Sequence, residues 1–439
     1  MRERPIDSVI DLIDPAVQRF EGITVEEARR RIASGDAEAV RGIDGSFSIV
    51  SRCGETVRMA RSLDRPMRYF LAKRAEGPVL VVSDRIDAIR AWLEREGLEA
   101  QFHPSYTRMV PAHHVTEIRL VGCPDPDAVH TRFFAPERSV FAADLDELGR
   151  RYVGALHKEL AKWLRALPDE SPVGVFFSGG VDSGCVFLTI YKLFFELGLN
   201  PARLKAFTLS LGGGSDLSQA RAFLQPLGLE LLLEPIERSP EALDPFEAVE
   251  ILEDYKPLDV ESAAMAIALC RGIRERYPQW RHVVDGDGGD ENLKDYPIEE
   301  NAELTIRSVL NNPMLYQEGW GVGTFKHSKT YSGGQSRSCA RGYAPLRRFG
   351  FEGFSPFMRP DVIAAAEGIP FVALTGWDVP RLYALKGEIV ARGVRQITGM
   401  EMPVFPKRRF QHGALADAER SRIAFAEADY RAHFASLHT

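Results

Sequence analysis

The chain is 439 residues long, 45% hydrophobic and 27% charged, with a formal net charge of −7, which suffices for a substantial core and two domains. It has no run of five or more like charges and no basic stripe with interleaved aromatics, which argues against a nucleic-acid or anionic-membrane partner. The five cysteines (Cys53, Cys123, Cys185, Cys270, Cys339) are widely spaced without a CxxC pair, the N-terminus MRERPIDSVIDLID lacks an apolar core, and no long apolar run occurs. These features predict reduced thiols and a cytoplasmic protein that neither crosses nor binds a membrane.

Between about residues 40 and 135, short β-like segments follow one another (SFSIVSR, TVRMAR, MRYFLA, GPVLVVS, HHVTEIRLV), separated by Gly, Pro and charged turns, which predicts a small antiparallel sheet domain. Residues 142–167 change to helical spacing, which places a domain boundary near residue 140. Strands and helices then alternate. A strand over 173–177 leads to a helix over 184–197, a strand over 204–211 to a helix over 216–227, and a strand over 229–235 follows. A helix over 260–276 next leads to a strand over 282–284, and helical texture returns over 378–396. Such alternation predicts a parallel sheet flanked by helices, with ligands at the carboxyl ends of the strands.

The first loop so placed is Ser178-Gly179-Gly180-Val181-Asp182-Ser183. Its glycines let the backbone approach an anion, while amides, hydroxyls and a helix N-terminus donate to phosphate oxygens. Asp182 beside phosphate calls for a cation between them, which implies Mg²⁺. There is no GxxxxGK[ST], so this is not a Walker loop. A second loop, Asp285-Gly286-Asp287-Gly288-Gly289-Asp290-Glu291, brings carboxylates to the end of another apolar strand without EF-hand spacing. Near the C-terminus, Pro406-Lys407-Arg408-Arg409-Phe410-Gln411-His412-Gly413 reads by itself as a solvated basic turn.

Together these segments resemble the asparagine synthetase and β-lactam synthetase family. The first loop is similar to the SGGxDS pyrophosphate loop of PP-loop ATP pyrophosphatases, and the second to the SGEGSDE loop of asparagine synthetases. Lys407 matches the K-x-x-F-x-x-G/P lysine, and Phe207 to Leu217 the segment that holds adenine. The resemblance implies that ATP is held by Phe177, Ser178, Gly179, Gly180, Asp182, Ser183, Leu209, Asp285 and Gly286, and Mg²⁺ by Asp182 and Asp290. Lys407 would be the main catalytic cation. Asp287 stands where the family carries glutamate or tyrosine, and its carboxylate could take the amine's proton. Gly350 to Phe357 is similar to the GxExRxPF stretch, with a phenylalanine in place of the usual arginine.

Asp44 to Ile49 and Ala60 to Phe70, with Val110 to His114 and Phe133-Phe134, resemble the glutaminase domain that precedes the synthetase half. That glutaminase uses an N-terminal cysteine exposed after Met removal; position 2 here is Arg2 and the first cysteine is Cys53, so no glutamine hydrolysis is expected. The expected fold is therefore a degenerate Ntn-type, glutaminase-like, β-rich (α+β) domain over 1–140, followed by a PP-loop (adenine nucleotide alpha hydrolase-like) parallel-sheet α/β domain over 141–439. The implied enzyme is an ATP-dependent, AMP-forming carbon–nitrogen ligase. It would act on a small-molecule or peptide substrate, with the amine carried on the same molecule as in β-lactam synthetases or lasso-peptide cyclases. Amidation by free ammonia or a second molecule is the alternative, and a homodimer is admitted. A tRNA-modifying PP-loop enzyme is disfavoured by the charge, and a non-catalytic scaffold by the joint presence of Ser178, Asp182, Ser183, Asp290 and Lys407.

Overall fold

In a computed structural model, the described residues are 8–74, 77–119, 127–168, 170–212, 214–296, 298–300, 304–311, 334–406 and 425–438. The chain divides into two compact units, the first built on Met1–Ala135 and the second on Pro136–Asn312 and Ser338–Leu437.

The first unit contains the strands β1 (Ser8–Asp11), β2 (Arg19–Phe20), β3 (Gly45–Ser46), β4 (Ser48–Cys53), β5 (Thr56–Arg61), β6 (Arg68–Ala72), β7 (Val79–Ser83), β8 (Arg108–Met109), β9 (His114–Arg119) and β10 (Val129–Arg132). Its helices are α1 (Val25–Ser34), α2 (Ala37–Arg41) and α3 (Ile86–Arg95). The single antiparallel sheet expected from sequence is instead two four-stranded sheets, β1-β7-β6-β8 and β10-β9-β5-β4, and β1 pairs with β7 in parallel. Only a pairing between strands distant in sequence makes β1 a sheet member, which local pattern does not reveal. Alternation along the strands builds the layers. Tyr69, Leu80 and Val82 join Val57, Met59 and Ile118 in one core cluster, whereas Phe70, Val79 and Val81 pack with Ile89, Trp92 and Leu93 of α3.

Several motif residues of this unit are structural. Arg61 is fully buried and donates to the carbonyls of Val110, Ser62, Leu63 and Arg65. Asp64 accepts from the hydroxyls of Ser46 at 2.5 Å and Ser62 at 2.6 Å. Cys53 is exposed at the β4–β5 hairpin.

The second unit begins with α4 (Leu145–Arg165), capped by Asp144. There follow β11 (Val173–Phe176), α5 (Val181–Glu196), β12 (Leu204–Ser210), α6 (Asp216–Leu224), β13 (Leu233–Glu237), α7 (Pro245–Leu252), α8 (Pro257–Arg276), β14 (His282–Val284), α9 (Gly289–Asn292) and α10 (Ile306–Asn311). The remainder comprises α11 (Gly334–Arg348), β15 (Glu352–Phe354), α12 (Pro360–Glu367), α13 (Phe371–Thr375), α14 (Val379–Thr398) and α15 (Glu427–Ser436). The five strands form one parallel sheet in the order β13-β12-β11-β14-β15. One face is covered by α4, α5, α12 and α14, and the other by α8, whose Met265, Leu269, Cys270 and Ile273 meet Phe207, Leu209 and Leu211. Burial on both faces explains why these strands read as continuous apolar runs. The strand expected over 229–235 begins later, because Glu230–Leu232 is a 3-10 turn that leaves Leu231 93% exposed.

Helix α14 is fixed by a close crossing with α4, where a Cβ at Gly393 would lie 2.3 Å from the Gly149 carbonyl oxygen. Among the described residues, no helix is long and apolar enough to cross a membrane.

Candidate active site

From β11 the sheet grows toward β12 on one side and toward β14 on the other. This reversal opens a crevice at the carboxyl edge, the place where parallel sheets receive ligands. The loops after β11 and β14 both enter it.

The β11 loop turns sharply at Gly179, whose φ is +71°, and a Cβ there would lie 2.9 Å from the Gln219 carbonyl oxygen. Glycine alone permits both the conformation and the approach. Ser178 Oγ accepts from the Gly180 N–H at 3.3 Å, and Ser183 Oγ accepts from the Ser178 N–H at 3.3 Å. Helix α5 starts behind Gly180 with no side chain capping it, so its first-turn amides and dipole are available to an anion. Such a geometry can receive phosphate oxygens.

The β14 loop presses directly onto the first. A Cβ at Gly286 would lie 3.0 Å from the Ser183 nitrogen, and one at Gly289 only 2.3 Å from Asp182 Oδ1. The bare glycines therefore let the Asp182 carboxylate sit against the second loop. Asp285 is buried and organises this loop. Its Oδ1 accepts from the Asp287 N–H at 3.1 Å, its Oδ2 from the Ser355 hydroxyl at 2.9 Å, and its own N–H donates to the Phe354 carbonyl at 3.1 Å.

The carboxylates converge on a residue that sequence reasoning missed. Lys386 of α14, 4% exposed, donates from Nζ to Asp182 Oδ2 at 2.6 Å and to Asp290 Oδ1, with Asp295 Oδ2 at 3.5 Å. Burial by itself would lower its pKa, but Asp182, Asp290 and Asp295 hold the ammonium well above the ordinary lysine value. The available signal was positional: Lys386 lies on the stripe of α14 that buries Leu382, Leu385, Ile389 and Val390, where lysine is out of place unless paired.

Asp287, half-buried, lies beside α11. A Cβ at Gly342 would stand 2.9 Å from its Oδ2. Burial pushes the Asp287 carboxyl up to about 6, Arg341 pulls it down, and Glu291 and Asp290 push it up. Arg341, also missed from sequence, spans Asp259 and Glu291 at 3.7 Å each.

Three further expected residues remain. Phe177 is 3% exposed, its ring packed on Phe187 and Phe223, and Leu209 is 2% exposed among the residues covered by α8. Both side chains are core in this structure. Lys407 lies outside the described residues.

Mg²⁺ binds hard oxygen donors, commonly one or two carboxylates plus substrate phosphates. Asp182 and Asp290, brought within reach of one atom beside the Ser178–Ser183 loop, fit that donor set. Among the described residues, no group of three or more His, Cys, Asp or Glu forms a self-sufficient metal cage.

A parallel sheet with a glycine-serine phosphate loop at its switch point, faced by a second acidic loop, defines an α/β nucleotide-binding domain of the PP-loop type. Residues 160–339, from within α4 to within α11, match the family model described as asparagine synthase, so this part of the chain is similar to asparagine synthases. No curated protein matches the chain.

Proposed function

We propose that this protein adenylates a substrate carboxylate, converting ATP to AMP and pyrophosphate, and lets an amine attack the adenylate to form an amide. The observation that supports the reading is the meeting of the Ser178–Ser183 loop and the Asp285–Glu291 loop at Lys386, with loop amides, two carboxylates and an ammonium close together. The loop amides and the α5 N-terminus hold the pyrophosphate portion of ATP. Asp182 and Asp290 are the residues that would hold Mg²⁺, which would supply charge neutralisation for that portion. Lys386, with Lys407 from the C-terminal segment, stabilises negative charge as the α–β bond breaks, a contribution larger in the transition state than in the ground state.

Asp287 suits the second half-reaction. A carboxyl with a pKa of about 6 is ionised at neutral pH and basic enough to accept a proton from an attacking ammonium as it becomes an amine. In this reading the amine is carried by the substrate itself, and Cys53, on the exposed β4–β5 hairpin, does not sit as a glutaminase nucleophile would. An intramolecular amine gains a large effective molarity and makes an ammonia supply unnecessary.

The test is a panel of amino-acid and peptide carboxylates incubated with ATP and Mg²⁺. Substrate-dependent formation of AMP and pyrophosphate, with carboxylate oxygen-18 recovered in AMP, is expected. Formation of ADP and phosphate, or ATP binding with no cleavage across the panel, would refute the reading.

A further inference from the structure

The Nζ of Lys386 is 2.6 Å from Asp182 Oδ2, bonded to Asp290 Oδ1 and 3.5 Å from Asp295 Oδ2. Magnesium–oxygen bonds are about 2.0–2.1 Å long. An ion bridging Asp182 and Asp290 would therefore stand on the point that the ammonium holds, and two cations at one point repel strongly in a buried setting.

Helix α14 is clamped at Gly149 and Gly393, so the backbone offers little freedom to resolve this conflict. The lysine stem, with four carbons and several rotatable bonds, does. We propose that Lys386 is an exchangeable internal cation: it holds the Asp182–Asp290 position until a magnesium–nucleotide complex takes it, and its ammonium then pairs with the phosphate charge brought in. The proposal rests on the reading of Asp182 and Asp290 as magnesium ligands given above. It assigns Lys386 a second task besides transition-state stabilisation: keeping facing carboxylates together, so that the metal position is formed in advance.

The experiment uses the full chain and Mn²⁺ alone, followed by electron paramagnetic resonance of the free ion, on wild type, Lys386→Met and Lys386→Gln. Without nucleotide, Lys386→Met is expected to bind Mn²⁺ at least about tenfold more tightly than wild type, and its thermal midpoint to rise with Mn²⁺ where the wild-type midpoint does not. Lys386→Gln should fall between them. Should Lys386→Met be unfolded by itself, Mn²⁺ but not an equal charge of K⁺ should restore its circular dichroism. Equal Mn²⁺ affinities in the three proteins, or an unfolded variant that Mn²⁺ fails to restore, would overturn the exchange. A parallel titration with ATP present separates the two layers of the argument. Wild type binding Mn²⁺–ATP despite equal nucleotide-free affinities defeats the exchange alone, whereas Asp290→Asn binding Mn²⁺–ATP as tightly as wild type defeats the metal-ligand reading beneath it.

Discussion

Among the described residues of the second unit, two lysines are buried, and they face different sets of carboxylates. Lys294, 1% exposed, pairs with Glu367 at 2.6 Å, and Arg138 reaches the same carboxylate at 2.8 Å. Lys386, 4% exposed, faces three aspartates instead. Burial lowers the Lys294 pKa despite Glu367, while the carboxylates around Lys386 outweigh the same penalty and raise it. At similar depth, the number of carboxylates decides the direction. The first group is a closed ion cluster that ties α12 to the segment after α9. The second gathers three aspartates around one ammonium beside the Ser178–Ser183 loop.

The largest expected effect sharpens this contrast: Lys386→Met should lower carboxylate-dependent pyrophosphate release by about 10²–10³-fold, the scale for losing a preorganised electrostatic group. Lys294→Met leaves Glu367 with one partner fewer in the interior. It should cost about 3–5 kcal/mol by urea unfolding, and Mn²⁺ should not offset the loss; rescue equal to that of the Lys386 variant would erase the distinction. Gly289→Ala drives a methyl into the Asp182 carboxylate, 2.3 Å away on the unchanged backbone. It should destabilise by about 1–3 kcal/mol and weaken ATP binding in equilibrium dialysis.

A pH profile probes the neighbouring carboxylate. The raised pKa means that Asp287 holds its proton up to about pH 6 and loses it above. Amide formation should therefore fall about tenfold per unit below that point, and Asp287→Asn should remove this limb along with most of the amide-forming activity. The smallest effect is Cys53→Ser, which should change stability by less than about 0.5 kcal/mol and leave turnover alone; a large loss would return a nucleophilic role to the first unit.

The parallel-sheet domain was legible because its strands are buried on both faces and its helices intervene at regular distances: β11, β12, β14, α5 and α8 lie where periodicity predicts, to within a few residues. The first unit was legible as strands but not as two sheets, since the β1–β7 pairing joins Ser8–Asp11 to Val79–Val82 across most of that unit. In the candidate site, glycine and acidic loops stood out because their composition departs from that of strand or helix. Lys386 did not, because one lysine in an otherwise ordinary amphipathic helix carries no local signature; only the tertiary fold shows that its side of α14 faces Asp182, 204 positions earlier in the chain. Phe177 and Leu209 illustrate the converse, side chains whose burial as core is itself what strand-end position and apolarity favour.

The length of that separation bears on how the molecule is made. As the chain emerges, Asp182 and Asp290 are synthesised well before Lys386, and contacts that close such long loops form slowly. Until α14 docks, the carboxylates around the Ser178–Ser183 loop lack their lysine and repel one another, so a chain stalled before residue 386 keeps an open, negatively charged edge. Docking of one late helix thus completes both the core beside α4 and the Lys386 contacts of the crevice, which ties closure of the candidate site to completion of the fold.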